Sequence, residues 1–291
     1  MSVKPIYAER RSQLMTIKVV CLRRAESLSA AKEKLAMSMR APDLKRVEAL
    51  PLFAGCAPES FRAVTAGAFL QRFPAGTTLL LEGDQPDFLY VLLDGLVELE
   101  AAWNDRETTL TMLHPVSTFI LAAVVLDAEG LMSARTRAPS DILMLSGEAI
   151  RRTMTQDAAF AIAVARELAV GSRDLMRTLK NQKLRGGLER LANFLIAERL
   201  RQGAGATFTL PYEKRVLASL IGMTPENLSR AFAALSDYGV SVRGPQVTIT
   251  RPAVLERFAK PDPMIDSGPT VPPAPGGKAQ PERWRRSSRA A

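Results

Sequence analysis

The sequence predicts an α+β chain in three parts: a β-rich region, one long helix, and a helical C-terminal unit closed by a small hairpin. Three observations carry this reading. Residues 48–156 alternate β-like runs with Gly and Pro punctuation. Residues 157 to about 184 switch to a 3,4 spacing of apolar positions. Residues 210–235 read as two short helices joined by a turn.

Residues 1–47 come first, with 11 basic and 4 acidic side chains and no clear fold pattern. Two readings stand for them: a basic extension without fixed structure, or translation that truly begins at Met37 or Met39. The punctuated runs of 48–156 suggest a double-layered β-roll. Within them Thr108 to Leu126 is uncharged and long enough to span a membrane. His114, Pro115, Ser117 and Thr118 interrupt it, however, so buried strands are the better reading. In 157–184, Ala161, Val164, Leu168, Gly171, Leu175 and Thr178 form a seam suited to a parallel coiled coil with a second copy, or to packing on the chain's own domain. Gly186-Gly187 then breaks the pattern where a hinge is expected.

The richest stretch is Leu210 to Leu235. Glu213 to Leu220 can form a helix, and Ile221-Gly222-Met223 a tight turn in which Gly accepts positive φ cheaply. Thr224 can cap the next helix, with Pro225 in its first position. Leu228, Ala231, Phe232 and Leu235 fall at i, i+3, i+4 and i+7 and make a buried stripe. Glu226, Ser229 and Arg230 fall on the other side, near the helix start, which is the end that a recognition helix presents to base edges. An amphipathic hairpin with a solvated charged face would share this pattern. The adjoining segment favours DNA: Tyr238 to Val242 and Gln246 to Thr250 are β-rich runs around Gly244-Pro245, a hairpin that would make the wing of a winged helix-turn-helix over 185–259. Arg243 and Arg251 flank it, placed to meet phosphates. Beyond Lys260 come seven prolines and a terminal crowd of arginines, read as a disordered tail.

Charge is distributed unevenly. Residues 48–156 hold 7 basic and 14 acidic side chains, whereas 157–259 hold 15 and 9, so only the second half attracts phosphate. Two cysteines, Cys21 and Cys56, argue against a disulfide framework and fit a reducing cytoplasm. With a single histidine, no Ser/His/Asp set and no Gly-rich phosphate loop, the chain is not read as an enzyme.

Over residues 48–259 the chain resembles the Crp/Fnr family of transcription regulators. Phe73-Pro74-Ala75-Gly76-Thr77, Leu81-Glu82-Gly83-Asp84 and Leu89 to Leu99 are similar to the opening of its cyclic-nucleotide-binding-like β-roll. Glu189 to Leu195 is similar to the start of its DNA-binding domain. Glu226, Ser229 and Arg230 match the ExxSR pattern of the Fnr branch, and Pro225 stands where the Crp branch has Arg. The resemblance implies a homodimer joined through residues 157–184 that reads a TTGAT–N4–ATCAA palindrome on double-stranded DNA and works with RNA polymerase, away from any membrane. Arg on G and Glu on C are chemically suited to this readout. The implied DNA-facing set is Thr224, Pro225, Glu226, Asn227, Ser229, Arg230 and Arg243.

The implied effector pocket is Phe119, Met132, Ser133 and Arg135. It lacks the family's Gly-Glu pair after Phe119, and Met132 replaces the arginine that would hold a cyclic phosphate, which disfavours cyclic AMP. Two cysteines cannot hold an iron–sulfur cluster of four thiolates. Haem remains compatible, as in the nitrogen-oxide-responsive branch, with His114 as iron ligand. A cyclic-nucleotide-binding regulatory protein and a non-specific basic nucleic-acid binder are the competing classes.

Overall fold

The computed structural model describes residues 41–104 and 106–267. Two helices, α1 (Ala41–Glu48) and α2 (Pro58–Thr65), lead into strands β1 (Phe69–Phe73), β2 (Thr78–Leu80), β3 (Phe88–Asp94), β4 (Val97–Trp103), β5 (Arg106–Leu113) and β6 (Ser117–Phe119). A short helix α3 (Leu121–Leu126), strands β7 (Ser133–Thr136) and β8 (Ser140–Ser146), and helix α4 (Gly147–Gln156) complete the first domain.

The strands form two four-stranded antiparallel sheets, ordered β1-β8-β3-β6 and β2-β7-β4-β5. Strand β3 shows why both faces of the first sheet must be covered. Alternation sends Tyr90 and Leu92 into the space between the sheets, where they meet Val97, Leu99, Phe119 and Ala134. It sends Leu89, Val91 and Leu93 the other way, against Val47, Phe53, Phe61, Ile150, Phe160 and Val164 of the helices. A strand buried on both sides reads as an unbroken apolar run, as Leu89 to Leu93 does.

The long helix α5 (Ala158–Leu184) spans 27 residues, or about 40 Å at 1.5 Å per residue. Asp157 caps it, accepting from the Phe160 amide at 3.0 Å while also accepting from the Ala57 amide at 2.9 Å, so one carboxylate joins α5 to α2. These amides hold Asp157 down to about 2, fully ionised at neutral pH.

The second domain comprises α6 (Gly187–Arg201), β9 (Thr207–Thr209), α7 (Lys214–Ile221), α8 (Pro225–Leu235), β10 (Val240–Arg243), β11 (Gln246–Ile249) and α9 (Pro252–Ala259), followed by α10 (Pro263–Asp266). The β10–β11 hairpin turns at Gly244, whose φ of +57° suits glycine. The additional strand β9 pairs with β11.

Several expectations need correction. Helix α1 begins inside the segment read as lacking a fold, and its Val47 is fully buried, so the domain starts before residue 48. The uncharged run Thr108 to Leu126 is strand only in its first part, since Leu121–Leu126 is helix α3. Among the described residues no helix is long and apolar enough to cross a membrane. Helix α10 lies within the segment read as a disordered tail. The expectations for Cys21, the alternative starts and the terminal arginines fall outside the described residues.

The expected seam on α5 is covered over its first half only. Val164 is buried and Leu168 packs on the same core, so the stripe starting at Ala161 turns inward over its first half. Gly171, Leu175 and Thr178 of the expected stripe stay exposed in the second half, whereas the stripe one residue away, Ile162, Ala165, Ala169, Ser172, Met176 and Leu179, is exposed throughout, again at 3,4 spacing. Periodicity alone cannot separate two stripes one residue apart when small apolar residues occupy both.

Phe160 stacks on Phe53 at a centroid distance of 5.9 Å and is completely buried. Phe160→Ala is expected to cost about 3–5 kcal/mol in chemical denaturation, through lost transfer energy and the cavity left behind.

Candidate nucleic-acid interface

Helix α8 is built by local chemistry. Thr224 is in extended conformation, and its Oγ1 accepts from the Asn227 amide at 3.3 Å. Pro225 occupies the first turn, where no N–H is needed. Upstream, Gly222 at φ +72° closes α7 in the left-handed conformation, so the two helices meet across a short turn. Leu228 and Leu235 are fully buried, Ala231 nearly so, and Phe232 packs beside them against Leu217, Ala218 and Ile221 of α7. The predicted stripe is the observed one.

On the opposite face Glu226, Asn227, Ser229 and Arg230 are all exposed. The Glu226 backbone N–H and then the Thr224 hydroxyl lower the Glu226 pKa, with Arg230 and Lys214 nearby adding to the effect. Glu226 is therefore an ionised acceptor at neutral pH. The Ser229 hydroxyl donates to the Pro225 carbonyl at 2.8 Å, a local bond that leaves its lone pairs outward. Arg243 is exposed at the end of β10, at the wing tip. Arg251 is committed differently, donating to the Asp237 carbonyl at 2.7 Å, so it braces the wing.

Sequence reasoning missed Lys214, which sits close enough to Glu226 to influence it. Lys214 and Arg215 open α7, the end where the helix dipole disfavours cations, which sets them apart in the sequence.

The outer face of α7 is largely covered beyond Arg215. Val216 packs with Leu96 and Met112 of the β-roll, and Ala138, Tyr212 and Leu220 close the cluster. The Ser219 hydroxyl accepts from the Thr109 amide at 2.7 Å. Beside this seam lies a cleft of about 320 Å³ whose walls include Gly76, Arg137, Tyr212 and Glu213. Glu98, only 1% exposed, is paired there with Arg137 and the Thr109 hydroxyl, which offsets the cost of burying its charge.

The expected effector residues divide between two faces of the β-roll. Phe119 stacks on Tyr90, with Met132 in the same apolar interior. Ser133 accepts from the Glu82 amide at 2.9 Å. Arg135 lies opposite Glu98 in the β4–β7 ladder and donates to the Gly76 carbonyl at 3.1 Å, facing the interdomain cleft rather than the interior.

His114 also sits at the interdomain seam, its Nε2 within 3.1 Å of the Tyr212 hydroxyl. That hydrogen bond ties the imidazole to the second domain. Among the described residues no group of three or more His, Cys, Asp or Glu is arranged to hold a metal ion. Cys56 is a poor thiolate, its pKa pushed up to about 11 by burial and by Asp157.

Burial, followed by the Arg201 guanidinium, holds the His114 imidazole below its ordinary value of 6.5, with Glu198 opposing. The folded protein therefore binds fewer protons here than the unfolded chain as pH falls through about 6.5, so stability rises with pH across that window. Acidification from about pH 7.5 to about pH 5.5 should lower the thermal midpoint. His114→Gln keeps a partner for Tyr212 and should flatten that slope; an unchanged slope would place the titration elsewhere.

Comparison with known proteins agrees with this architecture. Residues 70–157 match the family model described as a cyclic nucleotide-binding domain, and residues 189–258 the Crp-like helix-turn-helix domain. The chain is 30% identical over 215 residues to the cyclic AMP receptor protein of Thermus thermophilus, covering 72% of this chain and 96% of that protein. It is 25% identical over 198 residues to the transcriptional activator protein FnrL of Cereibacter sphaeroides, covering 64% and 78%. Its fold is similar to that of FixK2 from Bradyrhizobium japonicum, with a TM-score of 0.58 at 17% identity over 69% of this chain and 98% of that one. A β-roll, a long helix and a winged helix-turn-helix in this order, matched along nearly the full length of such a relative, make the chain a member of the Crp/Fnr family of DNA-binding transcription regulators.

Proposed function

We propose that the protein acts as a homodimer in the cytoplasm and reads an inverted repeat of the TTGAT–N4–ATCAA type through Glu226, Ser229 and Arg230. The observation that carries this reading is the disposition of α8. Its apolar stripe is buried, while an ionised carboxylate and a guanidinium stand exposed on the first two turns, where a G·C pair offers an amino donor to one and O6/N7 acceptors to the other. Thr224, Pro225 and Asn227 set the register of that turn, and Arg243 and Lys214 supply phosphate contacts.

One α8 reads only a few base pairs, so discrimination requires two, related by a twofold axis. The exposed stripe Ile162 to Leu179 on α5 supports pairing there, with Met176 57% exposed and Leu179 49%. RNA polymerase is the partner that gives DNA binding its consequence. The β-roll responds to a signal other than cyclic AMP: Met132 and the commitments of Arg135 and Arg137 leave these positions without a free cation for the phosphate. Haem sensing through His114 is not favoured, because its Nε2 is engaged by Tyr212.

Arg230→Ala should weaken binding to the repeat by about 1–3 kcal/mol per half-site and relax selection at one base pair, measured by titration against single-base variants. Equal weakening on all sequences would make Arg230 a phosphate contact, and a scrambled duplex competing as well as the repeat would remove the palindrome. Met176→Arg with Leu179→Arg should give monomers in sedimentation and abolish tight binding, while Arg230→Ala stays dimeric.

A further inference from the structure

Gly186-Gly187, the expected hinge, is held on several sides. The Gly186 amide donates to the Glu189 carboxylate at 2.9 Å. The preceding Arg185 forms a two-pronged pair with Asp266 of α10, Nη1 and Nη2 each 2.6 Å from a carboxylate oxygen. Its side chain is only 8% exposed, and it also reaches Asn181 at 3.2 Å and the Lys260 carbonyl at 3.4 Å. Asp266 is itself oriented by the Asp262 amide at 2.7 Å, and Lys180 donates to the Met264 carbonyl at 3.4 Å. The segment after α9 thus returns to the last turns of the dimerisation helix.

Arg190 continues the chain of contacts. Its Nη1 donates to the Arg185 carbonyl at 2.7 Å, its Nε to the Ile221 carbonyl at 2.8 Å and its Nη2 to the Gly222 carbonyl at 3.1 Å. Those last two carbonyls belong to the turn that launches α8. Gln182 approaches Gly222 so closely that a Cβ there would lie 2.8 Å from its Oε1.

We propose that Asp266 and Arg185 are positioning residues for DNA reading: the segment Lys260–Asp266 clasps the hinge, and Arg190 transmits that restraint to the start of the recognition helix. The role rests on the reading of α8 as the DNA-contacting element. It predicts that the clasp governs specific binding, which needs both helices at fixed spacing, more than non-specific phosphate binding, which does not.

The test uses the full chain. Dissociation constants for the inverted repeat and for a scrambled duplex are measured at one salt concentration, alongside hydrogen exchange of the amides of residues 184–190. Asp266→Asn and Arg185→Lys, which keeps the charge but loses the two-pronged geometry, should each lower the ratio of specific to non-specific affinity by about 5- to 50-fold, within the usual span of coupling between sites. Exchange at the hinge should quicken, while sedimentation and thermal unfolding show a folded dimer. The reversed pair Arg185→Asp with Asp266→Arg should recover most of the ratio. An unchanged ratio in Asp266→Asn overturns the proposal, as does an equal fall on both duplexes. A wild-type chain that fails to prefer the repeat removes the DNA reading itself, whereas the exchange measurement still tests the clasp.

Discussion

The packing of Leu228, Ala231 and Leu235 onto Leu217, Ala218 and Ile221 is the contact on which the other features depend. It fixes which face of α8 is withdrawn from water and therefore which face is offered. The selection is geometric: with 3.6 residues per turn, burying 228, 231 and 235 leaves 226, 229 and 230 no course except outward. Thr224 as cap and Pro225 in the first turn set where that rotation begins. Helix α7 is central in a second sense. Its inner face carries α8 and its outer face rests on β5 through Val216, Leu220 and Ser219, so a single eight-residue helix is a floor for one domain and a wall for the other.

Much of this was legible in the sequence where local chemistry decides. The cap at Thr224, the left-handed Gly222 and the turn at Gly244 are consequences of near neighbours, and near neighbours are what a sequence displays. The α5 seam was legible only to within one residue. Val164 and Leu168 look as suited to a partner helix as to a core, and the choice was made by distant residues, Phe53 and Phe61 among them, that pack around the inward face. Strand β9 was missed because Thr207–Thr209 is three residues long and owes its conformation to β11.

The sensor was the least legible part. Arg135 and Arg137 stand near the family's ligand position in the chain, yet strand alternation turns Arg135 out of the roll and Glu98 captures Arg137. His114, conspicuous as the single imidazole, is placed by a hydrogen bond to a residue 98 positions away. Long-range partnerships of this kind carry no local signature. They also place titratable and ion-paired groups at the seam between the β-roll and the helix that supports α8.

Gly222 lies where these constraints meet. Its backbone conformation suits glycine for the sake of the turn, and Gln182 of α5 occupies the space where a side chain would go. The residue thus answers to an internal demand and to a neighbour from outside its own module. A winged helix-turn-helix cut at Gly186 and transplanted onto another long helix would meet a different side chain at that spot, and with it a different tilt. The reader of DNA here is matched to its own mount, and interchange between homologous proteins would carry the cost of refitting that joint.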